Sequence, residues 1–142
     1  MIHPLRVRDF MTTKLHTTEP DADIMSAVKI LVDQNISGLL VIDNHGALKG
    51  ILTERDCIGV ALDAGYFDEA GGRVSNYMSS DIETVDVDLS LLDLAEQFVR
   101  RSFRRYPVTE DNKLVGVIAR RDVLKALTSG AWFSIPGNTP RR

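Results

Sequence analysis

The sequence predicts an α/β (α+β) fold in which one βαββα unit is used twice. Residues 7–11 read Val-Arg-Asp-Phe-Met and return at residues 74–78 as Val-Ser-Asn-Tyr-Met. Residues 50–56 read Gly-Ile-Leu-Thr-Glu-Arg-Asp and return at residues 116–122 as Gly-Val-Ile-Ala-Arg-Arg-Asp. Each half also changes its hydrophobic periodicity in the same order, from strand to helix, then to paired strands and a second helix. The duplication predicts two halves related by a pseudo-two-fold axis, with equivalent loops converging on shared clefts.

The first helix of each half is predicted from apolar residues at the i, i+3, i+4 and i+7 positions of an amphipathic helix. The pattern runs through residues 24–32 and again through residues 91–99. Asp23 and Ser90 stand immediately before the two runs, and both residue types are favoured N-caps. We therefore expect helices that begin after these two residues.

The apolar stripe of these helices is wider than one buried face requires. Met25 and Ile30 flank it in the first helix, and Leu92 takes the place of Met25 in the second. One interpretation is a helix deep in a single core. The other is a helix buried by the sheet on one side and by a neighbouring subunit on the other. We favour the second interpretation, which predicts a homodimer.

Short apolar runs separated by turn residues predict the strands. A strand precedes each first helix, and a pair of strands joined by a turn follows it. The strand candidates are residues 15–18, 38–42 and 48–52 in the first half and residues 82–85, 106–109 and 114–118 in the second. The closing helices are expected at about residues 54–64 and 120–128.

Glycine and proline mark the ends of the two repeats. The predicted organisation is repeat 1 at residues 7–64, a glycine-containing linker at 65–73, repeat 2 at 74–128 and a C-terminal tail at 129–142. The composition of the tail predicts a loose segment. Trp132 and Phe133 are the exception, and we expect them to dock on the body of the protein or on a partner.

Composition and charge argue against several classes of protein. The net charge of -3 provides no overall basic field for nucleic acid, which disfavours nucleic-acid binding. Cys57 is the only cysteine, so an intramolecular disulfide and a four-cysteine metal site are excluded. The first residues lack the apolar core of a signal peptide, and no stretch approaches the ~20 apolar residues that span a bilayer. We therefore expect a cytoplasmic protein without a membrane partner.

Catalysis is not expected from this sequence. The 3 histidines and the single cysteine are scattered, with neither a metal-ligand spacing nor a nucleophile–base pair. The Gly-x-x-x-x-Gly-Lys-[Ser/Thr] phosphate-binding loop is also missing. We expect no catalytic residue, no metal site and no catalytic cofactor.

Gly50, Thr53 and Asp56 form a Gly-x-x-Thr-x-x-Asp motif where a strand gives way to a helix. One interpretation is structural, because Thr at the N-cap and an acid at N3 have the spacing of a capping box, which contributes about 1 kcal/mol. The other is functional, because a helix N-terminus attracts anions and a carboxylate there can accept from both hydroxyls of a ribose. Arg55 could then reach a phosphate.

The second copy of the motif has Ala119 in place of Thr53 but retains the acid as Asp122. Alanine cannot cap a helix with its side chain, so capping is not the only available reason for the acid. An acid in the first turn of a helix is nevertheless favourable by itself. Both interpretations remain open on the sequence.

The two halves differ in basic charge. Four positions carry arginine only in the second half: Arg100, Arg101, Arg104 and Arg105, opposite Asp33, Gln34, Ser37 and Gly38. The first two arginines are explained as solvated charges near a helix C-terminus. The last two begin the next strand, and a cleft that they line would suit phosphate.

In order and spacing these motifs resemble the cystathionine-β-synthase (CBS) domain pair, also called the Bateman module. The resemblance covers about residues 7–128. It is carried by Val-x-x-Phe-Met at residues 7–11, Thr-x-x-Pro-Asp at 17–21, the Gly-x-x-Thr-x-x-Asp motif at 50–56 and Tyr-Pro-Val at 106–108. No single motif is specific to the family, but their order, occurring twice, is.

The resemblance implies a free-standing pair of βαββα CBS repeats with two clefts, in which such modules commonly bind AMP, ADP, ATP, S-adenosylmethionine or NAD. Carried onto this chain, one cleft would use Ile51, Thr53, Arg55 and Asp56 with Phe103, Arg104 and Arg105. The other cleft would use Val117, Arg121 and Asp122 with Ile36, Ser37 and Gly38. Ala119 removes one ribose contact from the second cleft, so the first is expected to bind more tightly.

The resemblance thus implies a regulatory module that senses energy state or a metabolite through an adenosine-containing ligand. A partner protein would read the change that the ligand causes in a dimer. The alternative is a ligand-free scaffold that dimerises and binds a partner protein, because the same fold and the same apolar helices would serve it.

Overall fold

The structure, a computed structural model, describes residues 5–67 and 71–132. Its elements follow the predicted order, and each repeat begins with a short helical turn. The first repeat contains α1 (Val7–Phe10), β1 (Thr17–Thr18), α2 (Ile24–Gln34), β2 (Gly38–Ile42), β3 (Leu48–Thr53) and α3 (Glu54–Phe67). The second contains a 3₁₀ turn (Val74–Asn76), β4 (Val85–Asp86), α4 (Leu91–Arg100), β5 (Arg105–Glu110), β6 (Lys113–Ala119) and α5 (Arg120–Thr128).

The strands form two three-stranded sheets, in the orders β1-β2-β3 and β4-β5-β6. In each sheet the first two strands are parallel and the last two are antiparallel. The parallel strands are connected through α2 or α4, because parallel strands need a crossover. The β5–β6 hairpin turns at Asp111 and Asn112, whose φ angles of 50° and 64° lie in the left-handed region that such turns require. The predicted fold class is confirmed.

The chain forms two compact units whose boundaries differ from those of the sequence repeats. Among the described residues, unit 1 contains residues 5–14 and 83–132, and unit 2 contains residues 15–67 and 71–82. The N-terminal segment of each repeat therefore packs in the unit that is built from the other repeat.

Backbone hydrogen bonds hold these exchanged segments in place. In unit 1, Val7 N–H donates to the carbonyl of Leu89 at 2.9 Å. In unit 2, Val74 N–H donates to the carbonyl of Ala22 at 3.0 Å. The side chains of Val7 and Val74 are fully buried, each in the core of its unit. The exchange thus rests on an apolar side chain and a backbone pairing that recur in both units.

Each unit has its own hydrophobic core, made by residues of its helices and strands. The core of unit 2 consists of Ile24, Ala27, Leu31, Leu39, Val41, Leu52, Val60 and Val74. The core of unit 1 consists of Val7, Val85, Val87, Leu91, Leu94, Phe98, Tyr106, Val108, Ile118, Val123, Ala126 and Trp132. Helices α2 and α4 each supply three of these residues at the spacing that the sequence predicts.

The N-caps of α2 and α4 are the predicted ones. Asp23 Oδ2 accepts from Ser26 N–H at 3.1 Å, and Ser90 Oγ accepts from Asp93 N–H at 3.1 Å. Each side chain thus satisfies one of the N–H groups that a helix start leaves without a partner.

The end of α3 differs from the prediction, whereas Trp132 follows it. α3 continues through Phe67, beyond the predicted end at residue 64, because Gly65 costs only about 1 kcal/mol within a helix and need not end it. Trp132 is buried in the core of unit 1, which confirms the expected docking of this residue and places it on the body of the protein. Phe133 lies outside the described residues.

The predicted wide apolar stripe is divided between core and surface. Ile30 packs against the core of unit 2, whereas Met25 is 44% exposed and Leu92 is 61% exposed. No helix in the described part of the chain is both long enough and apolar enough to cross a membrane.

An extended segment covers the outer edge of the last strand in each unit. Ser79 and Ile51 exchange two backbone hydrogen bonds of 2.9 Å, and Thr12 pairs with Val117 in the same way at 2.9 and 3.0 Å. In both units the residue that precedes the paired strand residue is a glycine, because the segment passes too close to the strand for a side chain at that position. Each of these two strands leads directly into the closing helix of its unit, and the pairing holds the strand in place.

Replacement of Gly50 by alanine should destabilise the protein. A Cβ atom there would lie 2.8 Å from the sulfur of Met78 and 2.8 Å from the carbonyl oxygen of Ser79. We expect the free energy of unfolding to fall by about 1–3 kcal/mol in urea denaturation followed by circular dichroism. Gly65→Ala is the matched control, because nothing lies within 4 Å of its Cβ position. Equal losses in the two variants would contradict the close approach at Gly50.

Candidate functional site

The strand–helix junction of unit 2 lies beside the segment that leads into β2. Gly38 and Thr53 are paired across β2 and β3, and Glu54 N–H donates to the carbonyl of Ser37 at 3.0 Å. The structure therefore brings residues 36–38 next to residues 53–56. Six of these residues, all but Glu54, are candidate site residues from the sequence.

Thr53 and Asp56 form the predicted capping box. Asp56 Oδ2 accepts from Thr53 N–H at 2.9 Å and from the Thr53 hydroxyl at 3.0 Å. Asp56 N–H donates in return to Thr53 Oγ1 at 3.2 Å. The structural interpretation of the motif is thus confirmed. It uses one carboxylate oxygen, and Oδ1 of the half-buried Asp56 accepts no hydrogen bond from the described residues.

Unit 1 builds the same junction with different side chains. Arg105 is paired with Ala119 across β5 and β6, and Arg120 N–H donates to the carbonyl of Arg104 at 3.1 Å. Asp122 Oδ2 accepts from Ala119 N–H at 2.7 Å. Because alanine has no hydroxyl, only this half of the capping box can form.

The arginines of unit 1 fall into two classes. Arg101 pairs with Glu83 at 2.7 Å, and Arg100 lies 3.9 Å from Glu96. These two are paired charges at the C-terminal end of α4, as the structural interpretation expects. Arg104 and Arg105 are exposed and form no ion pair with the described residues.

The remaining candidates lie along the two junctions. Ile51 is half-buried on β3 and Val117 is half-buried on β6, and the backbone of each is held by the edge segment of its unit. The Phe103 side chain is 41% exposed, with its ring centroid 5.5 Å from that of Tyr106. Arg55 and Arg121 are exposed in the first turns of α3 and α5. The assignment of all these residues to two clefts stays a prediction.

Arg120 was not among the candidate site residues from the sequence. Its Nε donates to the carbonyl of Phe103 at 3.0 Å, which joins the start of α5 to the segment before β5. The signal was available, because the repeat places Arg120 opposite Glu54, a reversal of charge at one junction position.

A buried hydroxyl lies near this segment in unit 1. The Tyr106 hydroxyl is buried and has no hydrogen-bond partner among the described residues. Burial raises the pKa of Tyr106 above its usual value, so the group stays neutral at physiological pH.

Two βαββα units that repeat the same polar strand–helix junction define a tandem-repeat protein with one candidate site in each unit. The family model of the CBS domain matches residues 7–63 and 74–129. The chain belongs to the CBS domain family, which confirms the resemblance found in its sequence.

Similar proteins include two uncharacterized archaeal proteins. The chain is 31% identical over 123 residues to a 17.7 kDa protein of Acidianus ambivalens, covering 86% of this chain and 73% of that protein. It is 32% identical over 128 residues to protein MJ1225 of Methanocaldococcus jannaschii, covering 90% of this chain but only 45% of that protein. The chain thus spans less than half of the second relative.

Among solved structures, the chain is similar to CBSX2 of Arabidopsis thaliana in complex with AMP. The TM-score is 0.73 at 28% identity, and the match covers 88% of this chain and 97% of that chain. The similarity extends over both repeats and confirms the fold.

Replacement of Ala119 by threonine should stabilise the protein. Ala119 is extended, with φ of -115° and ψ of 163°, and Asp122 already accepts its N–H, so a hydroxyl would complete the capping box. We expect the free energy of unfolding to rise by about 0.5–1 kcal/mol. The reverse change in unit 2, Thr53→Ala, should lower it by about 0.5–2 kcal/mol. Denaturant titration measures both, and a destabilised Ala119→Thr protein would contradict the equivalence of the two junctions.

Proposed function

We propose that the protein is a regulatory module that binds an adenosine-containing ligand and has no catalytic activity of its own. The observation that carries the proposal is the Thr53–Asp56 junction of unit 2. Its capping role leaves a carboxylate oxygen for a ligand, in a chain that is similar to a CBS-pair protein solved with AMP. The ligand could be AMP, ADP, ATP, S-adenosylmethionine or NAD.

The junction of unit 2 has the chemistry that a ribose requires. A vicinal diol offers two O–H donors, and a carboxylate accepts both. Asp56 Oδ1 is available for this role while Oδ2 continues to cap α3. Ile36, which the resemblance assigns to the cleft of Asp122, lies half-buried beside this junction, and we propose that it offers apolar surface to a base here. Ser37, exposed next to it, offers a further hydroxyl.

The junction of unit 1 supports the same role less well. Asp122 supplies an equivalent carboxylate, but Ala119 lacks the hydroxyl that Thr53 supplies. The loss of one neutral hydrogen bond is worth about 0.5–1.5 kcal/mol, a several-fold weakening. We therefore propose the Asp56 junction as the stronger of the two.

Exchange of Asp56 for asparagine should weaken AMP binding more than Asp122→Asn does. Asparagine keeps a carbonyl oxygen for the backbone N–H of the cap but removes the charge that strengthens hydrogen bonds to ribose. In isothermal titration calorimetry we expect Kd for AMP to rise about tenfold or more in Asp56→Asn and only several-fold in Asp122→Asn.

Asp93→Asn is the matched control. Asp93 is likewise an acid in the first turn of a helix, but it is exposed and lies on α4, so its exchange should leave Kd unchanged. Equal losses at Asp56 and Asp122 would contradict the preference for unit 2. If no adenosine-containing compound binds the intact protein, the proposed function fails.

A second candidate function is that of a dimerising scaffold, and exposed apolar residues on the helices favour it. In unit 2 the exposed side chains are Met25, Val32, Ile58 and Leu62. In unit 1 they are Leu92, Val99 and Leu124. Exposed apolar side chains mark an interaction site where they form one patch, and we propose that these do so and that a second copy of the chain covers them. A regulatory module that dimerises fits both functions, and the cytoplasmic location also stays a prediction.

Native mass spectrometry of the freshly purified protein should show twice the mass of the chain. Val99 is 87% exposed and Val32 is 72% exposed, so aspartate at either position can be tolerated by the monomer but would carry a charge into an apolar interface. We expect Val32→Asp and Val99→Asp to shift the protein towards monomer, whereas Asn112→Asp, at an exposed hairpin turn, should not. A monomeric wild type would exclude the proposed dimer.

A further inference from the structure

We propose that Glu83 has two alternative partners in unit 1, the guanidinium of Arg101 and the hydroxyl of Tyr106. In the structure Glu83 Oε1 lies 2.7 Å from Nη2 of Arg101. In the second arrangement the Glu83 carboxylate turns inward, accepts a hydrogen bond from the Tyr106 hydroxyl and releases Arg101. The exchange is a conformational device within unit 1, and it does not depend on the proposed ligand.

The Tyr106 hydroxyl is the observation that leads to a second arrangement. Tyr106 is 1% exposed, and its hydroxyl oxygen has no hydrogen-bond partner among the described residues. A buried hydroxyl that loses its hydrogen bonds to water and gains none in return destabilises the folded state. Phenylalanine would supply the same ring without this cost. The hydroxyl is therefore explained by a partner that it gains in another conformation.

Unit 2 shows that the fold does not need this hydroxyl. The equivalent of Tyr106 is Leu39, which is also the second residue of its strand and is fully buried. The glutamate and the arginine are replaced in unit 2 by His16 and Gln34. The three polar side chains thus occur together only in the second repeat, and the shared fold does not account for them.

The strand register places Glu83 beside Tyr106. Val85 of β4 is paired with Val108 of β5, and both side chains lie in the core of unit 1. Glu83 and Tyr106 each lie two residues before this pair. Because side chains alternate along an extended chain, both project from the side of the sheet that faces the core. Glu83 is half-buried, so its carboxylate lies between the core and solvent.

The charges near Tyr106 identify Glu83 as the acceptor. The pKa of Tyr106 is raised by burial and by the negative charge of Glu83, whereas the positive charges of Arg101 and Arg120 lower it. Arginine side chains only donate hydrogen bonds, so neither guanidinium can accept one from the hydroxyl. An ionised carboxylate only accepts them. Among these charged neighbours, Glu83 is therefore the one that can satisfy Tyr106.

The two arrangements should be close in free energy, as an exchange between two states requires. The side chains of Glu83 and Arg101 are 40% and 55% exposed, and ion pairs with this exposure contribute little to stability. In the second arrangement this pair is lost, but a buried hydroxyl gains a charged acceptor. Hydrogen bonds to charged groups are stronger than those between neutral groups, so the gain offsets the loss.

The exchange acts on the segment that carries candidate site residues of unit 1. Arg101 is the C-cap of α4, and Phe103 and Arg104 follow it directly before β5. The ring of Phe103 lies against that of Tyr106, with 5.5 Å between their centroids. The ion pair with Glu83 holds the start of this segment. The segment is thus held at Arg101 in one arrangement and released there in the other.

The melting temperature of Tyr106→Phe, measured in two backgrounds, tests the proposal. In the otherwise wild-type protein the change removes a hydroxyl without a partner, so we expect the melting temperature to stay the same or to rise. In Arg101→Gln, Glu83 has lost its other partner and should accept from the hydroxyl. In that background Tyr106→Phe should lower the melting temperature by about 3 °C or more, because it removes a hydrogen bond to a charged acceptor.

Two further backgrounds identify the acceptor. Arg100→Gln is the matched control, because it removes the neighbouring arginine, which lies 3.9 Å from Glu96. Tyr106→Phe should behave there as it does in the wild type. In Glu83→Ala/Arg101→Gln the acceptor is gone, and Tyr106→Phe should no longer lower the melting temperature. Circular dichroism of each variant shows whether it is folded before the melting curves are compared.

NMR of protein labelled with ¹³C at the tyrosine Cζ position reports on the hydrogen bond itself. The chemical shift of Cζ responds to the group that the attached hydroxyl bonds to. The Tyr106 signal, assigned by its loss in Tyr106→Phe, should move in Arg101→Gln and should keep its position in Arg100→Gln. Equal shifts in the two variants would contradict the exchange.

Three melting results would also overturn the proposal. If Tyr106→Phe lowers the melting temperature equally in every background, the hydroxyl is already bonded in the wild type, for example to a buried water. If it lowers the melting temperature in none, the hydroxyl gains no partner. If the loss in Arg101→Gln persists in Glu83→Ala/Arg101→Gln, the acceptor is another group. None of these results bears on AMP binding, so this inference and the proposed function fail separately.

Discussion

Each unit depends on one hydrogen bond, from the N–H of the last strand residue to the carboxylate three residues into the closing helix. The bond joins Thr53 to Asp56 at 2.9 Å and Ala119 to Asp122 at 2.7 Å. It ends the strand and starts the helix at a defined residue, and it places a negative charge at the positive end of the helix dipole. Because it holds the junction, it also fixes the carboxylate beside the last strand residue.

The duplication separates what the fold needs from what it does not. Both units keep the carboxylate, the glycine under the edge segment and the backbone bond between the two stretches of the junction. Thr53 is not needed, since Ala119 forms the same turn without a hydroxyl. Arginine at the start of β5 is not needed either, since Gly38 occupies that place in unit 2. The differences between the units are therefore not explained by the requirements of the shared fold.

Local features of the fold could be predicted from the sequence because their causes are local. Asp23 and Ser90 cap their helices, and β2 has its predicted bounds, since both depend on neighbouring residues. The exchange of N-terminal segments between units was not predicted, because it depends on pairings between residues far apart in sequence, such as Val7 with Leu89. The sequence also did not decide whether Trp132 docks on the body of the protein or on a partner. Composition does not show which distant core residues a side chain packs against.

The candidate site could be predicted only in part, for a different reason. The capping and the ligand-binding interpretations of Thr53 and Asp56 use the same side-chain atoms, so the sequence alone cannot distinguish them. The structure confirms the capping interpretation without excluding the other, because capping occupies Oδ2 and leaves Oδ1 without a described partner. A ligand held through Oδ1 would not have to break the cap, so binding would add to the stability of the junction and would stabilise the folded state by mass action. Had both oxygens been used by the backbone, a ligand could bind only by releasing helix N–H groups, each at a cost comparable to the bond it gained.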